Sequence, residues 1–165
     1  MSLDKVKEYL KQFDKDKDII VLNTSTATVE LASKALGVEP DKIAKTLSFK
    51  TQDGAIIIVT SGMARIDNKK YRNTFHLKAK MLSAEEVEIL IGHEIGGVCP
   101  FAIENKNVKI YLDKSLQKYD YVYPACGSKN SAIKLSCKEL EDLSNSLSWV
   151  DVCKDYQNSQ ENCSC

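Results

Sequence analysis

The chain has 165 residues, in which 23 Lys and Arg balance 23 Asp and Glu, with two His, six Cys and 43% hydrophobic residues. That length can bury about 70% of its extended surface in one core, which excludes disorder for most of it and makes disulfide staples unnecessary. A net charge of zero and a pI near 6.7 exclude the broadly basic surface of a duplex-binding protein. DNA is therefore not an expected partner, and any nucleic acid must be held by a local basic patch. No apolar run approaches the roughly 18 residues that cross a bilayer, and the first eight residues lack the apolar stretch of a signal peptide. The chain reads as cytoplasmic, without a membrane partner, and its cysteines at 99, 126, 137, 153, 163 and 165 are expected as free thiols.

Leu3, Val6, Leu10 and Phe13 recur at helical spacing and predict an amphipathic first helix that ends in the Asp/Lys-rich stretch 14–18. Ile19 to Leu22 is a short strand candidate. A second helix through Val29, Leu31, Ala32, Ala35 and Leu36 stops at Gly37, with Pro40 just beyond. Residues 43–50 and 55–60 flank Asp53-Gly54, the turn of a hairpin whose second strand, Ile56-Ile57-Ile58-Val59, is apolar enough to be buried on both faces. Asp67 caps a helix carrying Tyr71 and Phe75. Ser83 with Glu86, and Ser136 with Glu139, are capping boxes whose staple pairs are Leu82 with Val87 and Leu135 with Leu140. Further strands are expected at 108–112, 121–123, 132–135 and 149–153. The fold class is mixed α/β: a barrel-like mixed sheet surrounded by helices, in one domain over residues 1–153. Residues 154–165 form a polar tail expected to be disordered.

Two features carry chemistry. In a strand of period two, Lys45 shares a face with Ile43, Leu47 and Phe49, so its ammonium either snorkels to water or binds a phosphate or oxyanion. The second is the segment Gly92-His93-Glu94-Ile95-Gly96-Gly97-Val98-Cys99-Pro100, which packs three of seven glycines and one of three prolines into nine residues after a helix. Such backbone can turn its N–H groups onto an oxyanion or carbonyl; it can equally be a helix C-cap and a packed loop. His93 and Cys99 suggest a nucleophilic pair, but their spacing supplies no third, orienting group. Cys126 lies in a second small-residue turn that is either a loop or a pocket wall, and its Gly127-Ser128 lacks the spacing of a nucleoside triphosphate site. Cys163-x-Cys165 has no second pair, so no metal and no cofactor are expected.

The stretch Thr28 to Gly37, then Ile43-Ala44-Lys45-Thr46-Leu47, Gly96 to Phe101, Ala125 to Ser128 and Ile133 to Leu135 resemble, in order and spacing, the YbaK/prolyl-tRNA-synthetase-associated domain family. The resemblance covers residues 1 to 153 and implies a free-standing aminoacyl-tRNA deacylase. Such proteins hydrolyse the ester joining a wrong amino acid, Ala, Cys or Ser, to a tRNA-Pro type acceptor. It implies that Lys45 lies near the phosphate and sugar of the terminal nucleotide. It also makes Gly96, Gly97, Val98, Cys99 and Pro100 the loop whose amides hold the aminoacyl carbonyl while ribose hydroxyls orient water. Thr24, Ser25, Thr28, His93, Gly127, Ser128 and Asn130 are the candidates for substrate contact; for one of the first three the alternative is a helix N-cap. Thr28 and Ala132 stand where cysteine-specific relatives carry an aromatic and an acidic residue, which leaves the amino acid open. The expected partners are the 3′ end of aminoacyl-tRNA and an aminoacyl-tRNA synthetase, and the alternative function is a non-catalytic module binding either through the same pocket. With Lys45 aided by Lys69, Lys70, Lys78 and Lys80, few phosphates are gripped and tRNA binding is expected to be only moderately salt-sensitive.

Overall fold

The centre of the molecule is β3 (Ala55–Ser61), all seven of whose residues are buried. The computed structural model describes residues 2–155, so the tail with Cys163 and Cys165 lies outside the described residues. β3 pairs antiparallel with β2 (Ile43–Lys50) across the expected Asp-Gly turn, with Lys45 opposite Thr60 and Leu47 opposite Ile58. On its other side β4 (Val108–Asp113) runs parallel, followed by β7 (Ser148–Val150), and β5 (Tyr123–Pro124) lies parallel to the start of β2. The five-stranded order is β5-β2-β3-β4-β7.

A two-stranded ribbon of β1 (Ile20–Val21) and β6 (Ser131–Ala132) joins this sheet through single bridges, Val122 to Leu135 and Ala125 to Ala132. The mixed sheet expected from sequence is present, and its barrel-like curl rests on these bridges rather than on a closed ring of strands. The strand expected over 132–135 is cut short for a local reason. Ile133 N donates to Pro124 O at 3.0 Å, but proline has no N–H to return, so the ladder is interrupted there and resumes only at the single Val122–Leu135 bridge.

Both faces of the sheet are covered. Period two sends Ala55, Ile57 and Val59 into the larger apolar cluster, with Val6 and Leu10 of α1 (Ser2–Lys11), Val87 of α4 (Ala84–Leu90) and Leu140 of α5 (Cys137–Ser144). Ile56 and Ile58 face a smaller cluster with Phe49, Val152 and Tyr71 of α3 (Asn68–Phe75), where Phe49, Tyr71, Phe75 and Tyr111 stack in series at ring separations of 4.9, 4.9 and 5.0 Å. The helix starts are those the sequence announces. Asp67 accepts from the N–H of Lys69 and Lys70, and both capping boxes close. α2 (Val29–Leu36) ends at Gly37 with φ at +69°. No helix among the described residues is long and apolar enough to cross a membrane.

Candidate functional site

The outer edge of β2 is occupied only at its ends. Ile43 and Ala44 pair with β5, Phe49 bridges Met81, and Leu82 N donates to Ser48 O at 3.1 Å. Between them, Lys45 to Leu47 have no strand partner on that edge among the described residues. A cleft of about 240 Å³ opens over the gap. Ala44, Thr46 and Ser48 form its floor, Thr26 and Thr28 lead from it into α2, and Gly96 and Val98 close the opposite side. Among the described residues no carboxylate lines it, and Lys45 is the one cation that does. Thr46 Oγ1 is buried there with no hydrogen-bond partner, a state that leaves a polar atom's desolvation unanswered until a ligand arrives.

The glycine loop is shaped by its contact with the turn after β5. Gly97 O accepts from Gly127 N at 3.0 Å, and a Cβ at position 97 would lie 2.5 Å from Ser128 N. Only glycine allows that approach. Gly96 has φ at +93°, a conformation that costs other residues dearly. Gly97 N donates to Glu94 O at 3.0 Å, whereas the N–H groups of Gly96, Val98 and Cys99 carry no hydrogen bond among the described residues. Of these three, Gly96 and Val98 line the cleft, and unbonded donors at such a wall are what a developing oxyanion requires.

Lys45 has a divided position. It lines the cleft, yet period two puts its side chain on the face opposite Thr46, and its Nζ donates to Ala64 O. Burial holds its pKa below the usual lysine range; Cys153 and Asp41 oppose that fall and Arg65 reinforces it.

His93 and Cys99 do meet, with Cys99 Sγ 3.5 Å from His93 Nε2, but both are buried, at 1% and 0% exposure. His93 Nε2 donates to Phe101 O at 2.8 Å and Nδ1 is paired with Ser2 Oγ, and burial favours the neutral ring. Burial pushes the Cys99 thiol up to about 12, and no thiolate–imidazolium pair forms. Neither side chain lines the cleft, so the pair anchors the two ends of the loop. Burial also pushes the His93 pKa down, opposed by the Phe101 carbonyl and reinforced by Lys5. The unfolded chain binds this proton near pH 6.5, above the folded value, so the stability that neutral His93 contributes is full above about pH 6.5 and is lost as pH falls from there. Melting temperatures followed from about pH 7.5 to 5 should fall further in the wild type than in His93→Gln; equal falls would show that His93 titrates as in the unfolded chain.

Of the other candidates, Thr28 lines the cleft but is also the N-cap of α2, its Oγ1 accepting from Leu31 N at 3.2 Å, so the cap alternative holds for it. Thr24 and Ser25 are exposed beside the cleft rather than in it. Gly127, Ser128 and Asn130 brace the second turn: Ser128 Oγ donates to Asn130 Oδ1 at 2.9 Å and Asn130 Nδ2 to Leu22 O at 2.9 Å. The hydroxyls of Thr26, Thr46, Ser48 and Ser131, all at the cleft, are absent from the sequence candidates. For Thr46 and Ser48 a signal existed, since a strand face reading Ala-Thr-Ser beside an apolar one is the face that meets polar ligand. Among the described residues no group of three or more His, Cys, Asp or Glu is placed to hold a metal ion.

The described residues form a mixed α/β domain whose smaller cleft is lined by hydroxyl side chains, Lys45 and the glycine loop. The profile of the aminoacyl-tRNA editing domain matches residues 23–143, and the chain belongs to that family. It is 50% identical over 158 residues to the uncharacterized protein YwhH of Bacillus subtilis (strain 168), covering 95% of this chain and 100% of that one. It is 27% identical over 116 residues to the proline–tRNA ligase of Thermotoga maritima, spanning 68% of this chain but only 20% of the ligase. The crystal structure of a candidate trans-editing enzyme for prolyl tRNA synthetase superposes with a TM-score of 0.83 at 29% identity, covering 93% of this chain and 98% of that one. The crystal structure of hypothetical protein APE2540 gives 0.79 at 27% identity, over 91% and 99% of the two chains.

Proposed function

We propose that the protein is a trans-acting deacylase that hydrolyses the ester of tRNA mischarged with a small amino acid, alanine, cysteine or serine. The observation that carries this reading is the pair of unbonded N–H groups at Gly96 and Val98, both on the wall of a cleft of about 240 Å³. An aminoacyl ester is already activated, so hydrolysis needs a positioned water and a stabilised tetrahedral oxyanion, not a Ser-His-Asp triad. Water adds to the carbonyl carbon, the bond to the ribose oxygen breaks, and the proton of the water passes to that oxygen, with neighbouring ribose hydroxyls as the relay. The open edge of β2 lets the acyl group sit on the Thr46 face while the nucleotide passes to the Lys45 face. The volume suits a side chain of a few atoms, and the hydroxyls of Thr26, Thr46 and Ser48 are placed for the substrate amine.

Incubation with a panel of alanyl-, cysteinyl- and seryl-tRNA-Pro tests the reading. Ester loss well above the buffer rate on at least one member is expected; loss at the buffer rate across the panel would mark a non-catalytic binding module instead. Thr46→Val adds a specific expectation. Because Thr46 Oγ1 has no partner in the free protein, the isosteric change should leave the melting temperature unchanged or higher, yet lower kcat/KM about tenfold through one lost hydrogen bond to the substrate. A fall in both together would give Thr46 a structural role.

A further inference from the structure

Beside the Lys45 ammonium lies a second, larger cleft, of about 570 Å³, on whose wall Ala64 O accepts from Lys45 Nζ. Resting on the deacylase reading, we propose that it binds the single-stranded nucleotides preceding the terminal adenosine of the tRNA, with Arg65 and Lys154 as their phosphate ligands. Its position is the first argument. Ser61, on its wall, is the register partner of Ala44, on the wall of the acyl cleft, so the two clefts adjoin at the start of β2 and the end of β3. Lys45 joins them, lining the acyl cleft while its Nζ is bonded to Ala64 O on the wall of the larger one. An ester held in the first cleft therefore leads its nucleotide chain past Lys45 into the second.

Charge is the second argument. Lys45 and Lys70 are bonded to the wall and Arg65, Lys114, Lys118 and Lys154 line it, six cations against the four carboxylates Asp41, Asp113, Asp151 and Asp155. Those carboxylates are already engaged within the protein. Asp113 accepts from Val152 N and Ser115 N, both at 2.9 Å, and Asp41 accepts from Ser61 Oγ and Met63 N. Lys70 bridges Asp151 and Asp155, and Lys114 also holds Asp151. Arg65 and Lys154, both exposed at the rim, have no ion pair among the described residues.

The test is anisotropy of a labelled RNA tetranucleotide ending in CCA, with a free 3′ hydroxyl, titrated at several salt concentrations. A log–log salt slope of about −1.4 to −2.1 is expected, the value for two or three phosphates on a single strand. Arg65→Ser with Lys154→Ser should flatten it by about 1.4, while Lys109→Ala, an exposed residue of β4 in neither cleft, should not. An unchanged slope in the double variant would overturn the proposal, as would cytidine 5′-monophosphate competing as well as the tetranucleotide, which would define a mononucleotide pocket. Turnover of mischarged tRNA reports separately on the deacylase. Binding through Arg65 and Lys154 without turnover would remove that reading and keep this subsite, and turnover with an unchanged slope would do the reverse.

Discussion

Replacing Lys45 with alanine is expected to lower kcat/KM on the tRNA that the wild type deacylates best by about 100-fold or more, the loss that follows removal of one preorganised charge or donor at a reacting centre. The fold should survive. Lys45 is half-buried at the open edge of β2, and its Nζ makes one protein hydrogen bond, to Ala64 O, whose loss costs about 1 kcal/mol. Lys45→Met, which keeps the apolar stem, should lose the same activity with a smaller change in melting temperature. The pH dependence has a defined sign. Burial lowers the Lys45 pKa, so the charged form needed beside a phosphate is lost, as pH rises, earlier than for a solvent-exposed lysine. After subtraction of buffer hydrolysis, wild-type kcat/KM should fall on the alkaline side, and the Lys45→Ala profile should lack that limb. Undiminished turnover in the alanine variant would take Lys45 out of the mechanism.

Gly97→Ala is expected to damage both stability and turnover. The added Cβ would lie 2.5 Å from Ser128 N and 2.6 Å from Gly127 C, backbone atoms that cannot swing aside. The two turns must separate, breaking the Gly127 N to Gly97 O bond, with a cost of about 1–3 kcal/mol from overpacking. Displacement of the neighbouring N–H donors by even about 1 Å should cost a further 100-fold in kcat/KM. Gly92→Ala is the matched comparison: it sits in the same segment at φ +84° with no atom near its added Cβ, so it should lose about 1–2 kcal/mol of stability and keep kcat/KM near wild type. Equal kinetic losses in the two variants would mean that general loosening of the loop, not the contact with Ser128, is responsible.

How much of this site was legible in the chain differs from residue to residue. The glycine loop announced itself by composition, and the structure brings Gly96 and Val98 to the cleft. The pairing of His93 with Cys99 could not be judged from six residues of separation. They touch, yet burial keeps the thiol protonated, and burial is a property of everything packed around them. Thr28 illustrates a residue with two local roles, cap and cleft wall, that spacing alone cannot separate.

By itself the sequence determined the hairpin, the helix starts capped by Asp67, Ser83 and Ser136, the fully buried strand β3 and the family, because turn chemistry, capping and period-two burial act between residues a few positions apart. Only the tertiary structure decided which hydroxyls reach the smaller cleft and that Lys45, on its wall, bonds to Ala64 on the wall of the larger one. It alone decided that the outer edge of β2 stays open between Ala44 and Ser48. Those facts depend on where β5 and the Met81 segment stop along β2, contacts between segments some 30 to 80 residues apart whose register no local pattern encodes.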